Sequence, residues 1–152
     1  MRPFHICASA ARLGAFLCGA LAPWAAFGAE GGEQAFDLKS GQELTFAVTI
    51  AGGKVTLGPP RLSKLGVAQP KDGEMTVGLS PRDDTLHEQV LLAEKTPVPI
   101  DFLATGLVGG TKIDEAVLCG RLDGPASAHI GAVSWRVSLH AFEARKDGAT
   151  CE

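Results

Sequence analysis

The sequence predicts an all-β domain, a small antiparallel β-sandwich of immunoglobulin-like type with a small β-barrel as the alternative, behind an N-terminal export signal. Two observations carry the fold class. Glu43 to Ala51 and Val133 to Ala141 alternate apolar and polar residues with the period of two that a half-buried strand requires. Turn signals rich in glycine and proline recur between short apolar runs, which gives seven or eight strands in roughly 110 residues, the density of a sandwich or small barrel.

The export signal comes first. Met1 to Arg12 holds the cations Arg2 and Arg12 and no carboxylate, Leu13 to Phe27 is apolar or small throughout, and the first acidic residue is Glu30. A positive start, an apolar middle and small residues before a cut is the pattern read by a secretion translocon. Cleavage is expected after Gly28, with Ala29 as the near alternative, so residues 1–28 form the signal, 29–34 a flexible lead and 35–152 a single domain. An uncleaved anchor is disfavoured, because fifteen apolar residues reach about 22 Å as a helix, short of a hydrocarbon core of about 30 Å.

Within the domain, Leu44, Phe46, Val48 and Ile50 share one face of a strand that Gly52-Gly53 turns. Glycine accepts the positive φ angles of a two-residue hairpin turn, and this turn sets Ile50 against Val55 and Val48 against Leu57. Pro59-Pro60 ends the returning strand, since proline donates nothing to a ladder. Pro70 to Gly73 is a turn, yet a tight hairpin there would leave Leu65 and Val67 on the wrong face, so a longer loop is expected. Glu74 to Ser80 alternates through Met75, Val77 and Leu79, and Pro81 to Asp84 is a polar loop.

Thr85 to Lys95 carries two patterns. Thr85 and Glu88 form a capping box before rough helical spacing, but Val90-Leu91-Leu92 followed by Val98, Ile100, Phe102 and Ala104 reads as two strands joined at Lys95-Thr96-Pro97, which the all-β surroundings favour. Gly106 to Lys112 reads as a loop, and Ile113 to Leu122 as a strand buried on both sides near Val117 to Cys119. Asp123-Gly124-Pro125 turns it. In the last strand Val133, Trp135, Val137, Leu139 and Ala141 point inward, opposite Ser134, Arg136, Ser138 and His140.

Charge and composition bound the function. Removing the signal takes two of 14 cationic side chains and none of the 17 acidic ones, moving the net charge from −3 to −5. An acidic domain without a basic cluster offers phosphate backbones nothing to hold, which excludes nucleic acid and disfavours an anionic membrane as partner. Of four cysteines only Cys119 and Cys151 survive processing, and an even pair in an oxidising compartment reads as a disulfide. It would pin the polar tail from Arg145 to Glu152.

The motifs that suggest chemistry fail on their own terms. His87-Glu88 lacks the second zinc-protease histidine, because position 91 is Leu91. Gly109-Gly110-Thr111-Lys112 has the phosphate-loop residues in the wrong order, and no Gly-x-Ser-x-Gly elbow occurs. Asp83-Asp84 reads as a solvated loop, while Asp101 and Asp114-Glu115 read as exposed strand positions. The three mature histidines are His87, His129 and His140; strand parity puts His129 on the inward face of Trp135 and His140 outward, so no metal set is expected. No catalytic, cofactor-binding or metal-binding residue is therefore predicted. The expectation is a periplasmic or secreted, non-catalytic binding or accessory module, its partner a protein or small molecule of the cell envelope, with no membrane insertion after cleavage. The alternatives are a histidine-based copper- or zinc-binding protein and an enzyme with a dispersed site.

Overall fold

The structure, a computed structural model, describes residues 34–81, 88–131 and 136–151, and among them it holds strands and no helix. The ten strands are β1 (Phe36–Leu38), β2 (Gln42–Ala51), β3 (Lys54–Leu57), β4 (Arg61–Lys64), β5 (Glu74–Leu79), β6 (Glu88–Glu94), β7 (Ile100–Val108), β8 (Thr111–Leu118), β9 (Ala126–Ile130) and β10 (Arg136–Ala144). Pairing is antiparallel throughout, in the order β8-β7-β10-β3-β2-β5-β6-β9, with β1 added to β10 and β4 to β2. The sheet curls into a nearly closed, barrel-like form. Its two ends meet where Asp114 of β8 accepts a hydrogen bond from the Gly131 N–H just after β9. The export signal, Asp83-Asp84, His87 and Trp135 lie outside the described residues.

The β2–β3 hairpin has the predicted register, Ile50 opposite Val55 and Val48 opposite Leu57, around Gly52 and Gly53 at φ 58° and 81°. Positive φ at both central residues gives the turn a twist that matches its strands. Gln34, expected in the flexible lead, is instead tied down: its Nε2 donates to the Leu57 carbonyl (2.9 Å) and its Oε1 accepts from the Leu57 N–H (2.7 Å). A side-chain amide carries the same donor and acceptor as a peptide group, so Gln34 continues the ladder beyond β3.

The long loop before β5 is present and has a purpose that strand parity only hinted at. It folds onto the outer face of β2 and β5, where Leu65 lies over Gly78 so closely that a Cβ at that glycine would sit 2.4 Å from Leu65 Cδ1. Glu43, 3% exposed, holds the loop from beneath. Its carboxylate accepts from Ser63 Oγ (2.9 Å), the Gly66 N–H (2.9 Å), the Val67 N–H (3.0 Å) and the Ala68 N–H. Burial pushes this carboxyl up, and the four hydrogen bonds together outweigh it, leaving the pKa below the ordinary value.

Inside, β5, β6 and β7 supply alternating core residues: Met75, Val77 and Leu79; Val90 and Leu92; Ile100, Phe102 and Ala104. Residues 88–94 are strand, as the surroundings favoured, but β6 and β7 are not neighbours: β6 pairs with β5 and β9, β7 with β8 and β10. The Lys95 to Pro99 segment therefore crosses between the two halves of the sheet. Phe46, Phe36, Phe142 and Phe102 form a chain of ring contacts across the core, with centroids 4.6 Å apart for Phe36–Phe46 and 5.2 Å for Phe102–Phe142.

Three expectations are corrected on the remaining strands. Gly106 to Lys112 is no loop, because β7 runs to Val108 and turns tightly at Gly109-Gly110 into β8. β8 is buried on one face only: Ile113 and Val117 are 45% and 43% exposed, while Leu118 is buried. Ala141 does not point inward. A bulge between His140 and Glu143 shifts the alternation by one residue, turning Phe142 and Ala144 to the core and Glu143 outward. Ala141 takes the strain of that shift at φ 55°, a left-handed conformation unusual for a residue with a Cβ.

Candidate functional site

The C-terminal chain leaves β10 at Ala144 and folds back across the end of β7. The Arg145 N–H donates to the Pro99 carbonyl (2.8 Å). Its guanidinium grips Asp101 at both carboxylate oxygens, Nε to Oδ2 at 2.9 Å and Nη2 to Oδ1, and Nη2 also reaches the Gly120 carbonyl (3.1 Å). Asp101 Oδ1 accepts the Gly120 N–H as well (2.9 Å). Asp101 is thus a half-buried hub and not the exposed strand position expected. A two-pronged arginine–carboxylate pair is stronger and more directional than a single contact, and Asp101 raises the Arg145 pKa. One residue from Gly120 the structure joins Cys119 to Cys151 in a disulfide, with Cα atoms 5.6 Å apart. The ion pair and the disulfide together staple the tail against β7.

Beneath this staple sits Glu94, 8% exposed. Its Oε2 accepts from Thr96 Oγ1 (3.0 Å) and the Ile100 N–H (3.1 Å), and its Oε1 completes no hydrogen bond. Burial pushes its pKa up; the Thr96 hydroxyl and the Ile100 and Arg121 amides oppose that shift, and the charge of Asp101 adds to it. Gly120 is required above it, because a Cβ there would stand 2.4 Å from Glu94 Oε1 and 2.5 Å from the Ile100 backbone.

Between the tail and the outer face of β7, β8 and β10 lies a half-open groove of about 330 Å³. Leu103 and Val117 form an apolar floor, Ala141 and Glu143 one wall, Thr150 and Cys151 the other, and Asp101 and Phe102 its inner end. Leu103 stands opposite Val117 on β8 and His140 on β10, and Asp101 stands opposite Glu143. The bulge at Ala141 is what turns the Glu143 carboxylate outward. Asp101 is committed to Arg145 and Gly120, whereas Glu143 makes no ion pair within 4.0 Å among the described residues.

Beside the groove runs a polar chain on the same face. Lys112 Nζ meets Glu115 Oε2 (2.8 Å), Thr105 Oγ1 donates to the same oxygen (2.9 Å), and His140 Nε2 lies 2.8 Å from Thr105 Oγ1. Lys112 and then Thr105 hold the Glu115 carboxyl below its ordinary pKa. The one hydroxyl hydrogen of Thr105 goes to Glu115, so His140 Nε2 meets Thr105 Oγ1 as a donor and not as the base of a nucleophile. Glu115 is the exposed strand position expected, though paired with Lys112 and Thr105, while Asp114 is only partly exposed and accepts the Gly131 N–H.

The histidines are dispersed. His129 on β9 is exposed, which corrects the inward placement, and its Nε2 lies 3.3 Å from Gln89 Nε2. His140 sits on β10, with β7 and β8 between it and β9 around the curve. Three strand spacings come to roughly 14 Å, beyond any shared first-row metal. Among the described residues no group of three or more His, Cys, Asp or Glu could hold a metal ion.

Sequence reasoning found the cysteine pair and missed Asp101, Ala141, Glu143 and Arg145. One local signal was available: Ala141-Phe142 places two apolar residues in succession where the alternation should continue, the mark of a bulge. No protein-family model, curated protein or solved structure matches this chain.

Proposed function

We propose that this chain is an exported, non-catalytic binding module of the periplasm or the extracellular medium, which engages a partner at the groove beside its C-terminal staple. The groove itself is the observation that carries the reading. At about 330 Å³ it falls at the lower end of the range for ligand sites, roughly 300–1,000 Å³, and it joins an apolar floor to one uncommitted carboxylate. The export signal, the acidic charge and the absence of a basic cluster support a partner that is neither nucleic acid nor an anionic membrane surface.

The finer architectural reading is a flattened sandwich with immunoglobulin-like layering. It is supported by β2, which pairs with β3 through its second half and with β4 and β5 through its first, and by a β10–β3 junction of one residue pair, Glu143 with Lys54. Such folds present sheet faces and loops to partners.

A photoreactive residue at Val117 in the mature protein, expressed in its own host, tests the function. Crosslinking to one discrete envelope component from Val117, and not from the distant, exposed Thr49, is the expected outcome. No adduct, or the same adducts from both positions, would remove the proposal.

A further inference from the structure

Resting on that reading of the groove, we propose that its occupant is a lysine side chain carried by a segment of a partner protein. The floor is aliphatic: Leu103 faces Val117 across β7 and β8, and Val117 is 43% exposed, a large apolar side chain left open to solvent. A four-carbon stem fits along such a floor while its charged head stays at the rim, which is how lysine ordinarily covers apolar surface.

At the rim the charges point to a cation. Asp101 is neutralised by Arg145, so the pair presents no net charge to an incoming group. Glu143 stands opposite Asp101 in the register, exposed, on the strand that the Ala141 bulge turns outward. Lys54 is its register partner on β3 and forms no ion pair with it within 4.0 Å, leaving the carboxylate open to an ammonium group. The surface as a whole is acidic, which favours approach of a basic segment and disfavours an anionic one. An arginine would be the weaker occupant, because the carboxylate set for a planar, two-pronged grip in this corner is already taken by Arg145.

The test uses the mature, disulfide-bonded protein labelled with ¹⁵N and titrated with three capped tripeptides, Ala-Lys-Ala, Ala-norleucine-Ala, and Ala-Lys-Ala acetylated at Nζ. The lysine peptide is expected to shift the amide signals of Leu103, Val117, Ala141 and Glu143 and to saturate at millimolar concentration. The two neutral peptides should bind about threefold more weakly, the size of an exposed ion pair, and Glu143→Gln should remove that preference without changing the norleucine result. Equal binding of all three peptides at the groove would overturn the lysine assignment and leave the groove reading standing. Failure of all three to shift these residues, or shifts spread over the acidic surface, would overturn both.

Discussion

Replacing Glu94 by glutamine should stabilise the protein, and by more at neutral pH than in acid. Glu94 is a buried carboxylate with one oxygen satisfied by Thr96 and Ile100 and the other without a completed hydrogen bond. Its pKa is raised, chiefly by burial, so the folded state holds the proton more tightly than the unfolded chain does. Ionisation therefore works against folding. The penalty is absent below the unfolded pKa, grows as pH rises from there through the folded pKa, and is complete above it. An unsatisfied buried acceptor costs about 1–3 kcal/mol, and more if charged. Part of that is recovered here through Thr96, Ile100 and the Arg121 amide, so a net gain of about 1–2 kcal/mol at pH 7 is expected. Glutamine keeps the length of the side chain and an oxygen for Thr96 and Ile100. For a domain of this size the gain corresponds to roughly 4–8 °C in Tm. The assay is urea unfolding of the disulfide-intact parent and Glu94→Gln at steps from pH 4 to pH 8. A gap between the two that stays constant with pH would refute the ionisation argument, and a variant less stable than the parent at pH 7 would refute the burial penalty itself.

Glu43→Gln should act in the opposite sense. The Glu43 pKa is lowered, so its contribution is present above the unfolded pKa and lost as pH falls through the folded one; a loss of about 1.5–3 kcal/mol at pH 7 should shrink in acid, as read by the same unfolding series. The double variant Cys119→Ser/Cys151→Ser should lose roughly 3.5–4 kcal/mol by the chain-entropy estimate for a 32-residue separation. Limited proteolysis should then cut within residues 146–151 while Arg145 remains anchored, because the ion pair with Asp101 does not depend on the bridge. If the tail stays protected, the disulfide is not what holds that wall of the groove.

How much of this was legible in the sequence follows from how far apart the interacting residues lie. The β2–β3 hairpin could be read to the residue, since its register follows from Gly52-Gly53 and alternation alone. The strand β9 could not, because Ala126–Ile130 offers one large apolar side chain, Ile130, among small ones and a histidine. In β8 the apolar residues misled: Ile113 and Val117 look like core and stand on the outer face. The groove was least legible of all. Its residues come from β7, β8, β10 and the tail, and only the pairing of distant strands brings them together. Asp101 and Arg145, 44 residues apart, carry no mark in the sequence of belonging to one another.

Local rules hold over most of this chain and break in one corner, which holds the left-handed Ala141, the half-satisfied Glu94 and the open apolar floor at Val117. Departures of this kind persist where they serve something other than stability, and Ala141→Gly tests that directly. A left-handed residue with a Cβ costs about 1–2 kcal/mol, and glycine removes the cost while giving back part of it as backbone freedom, so the variant should gain about 0.5–1 kcal/mol. The methyl group of Ala141 is also part of the groove wall, and the bulge that holds it aims Glu143. Glycine takes the methyl away and loosens the bulge, so the lysine peptide should bind two- to threefold more weakly to a more stable protein. Stabilisation with unchanged binding would show that the strain serves only to turn Phe142 onto Phe102 in the core. A loss of stability would show that the conformation at Ala141 is not strained at all.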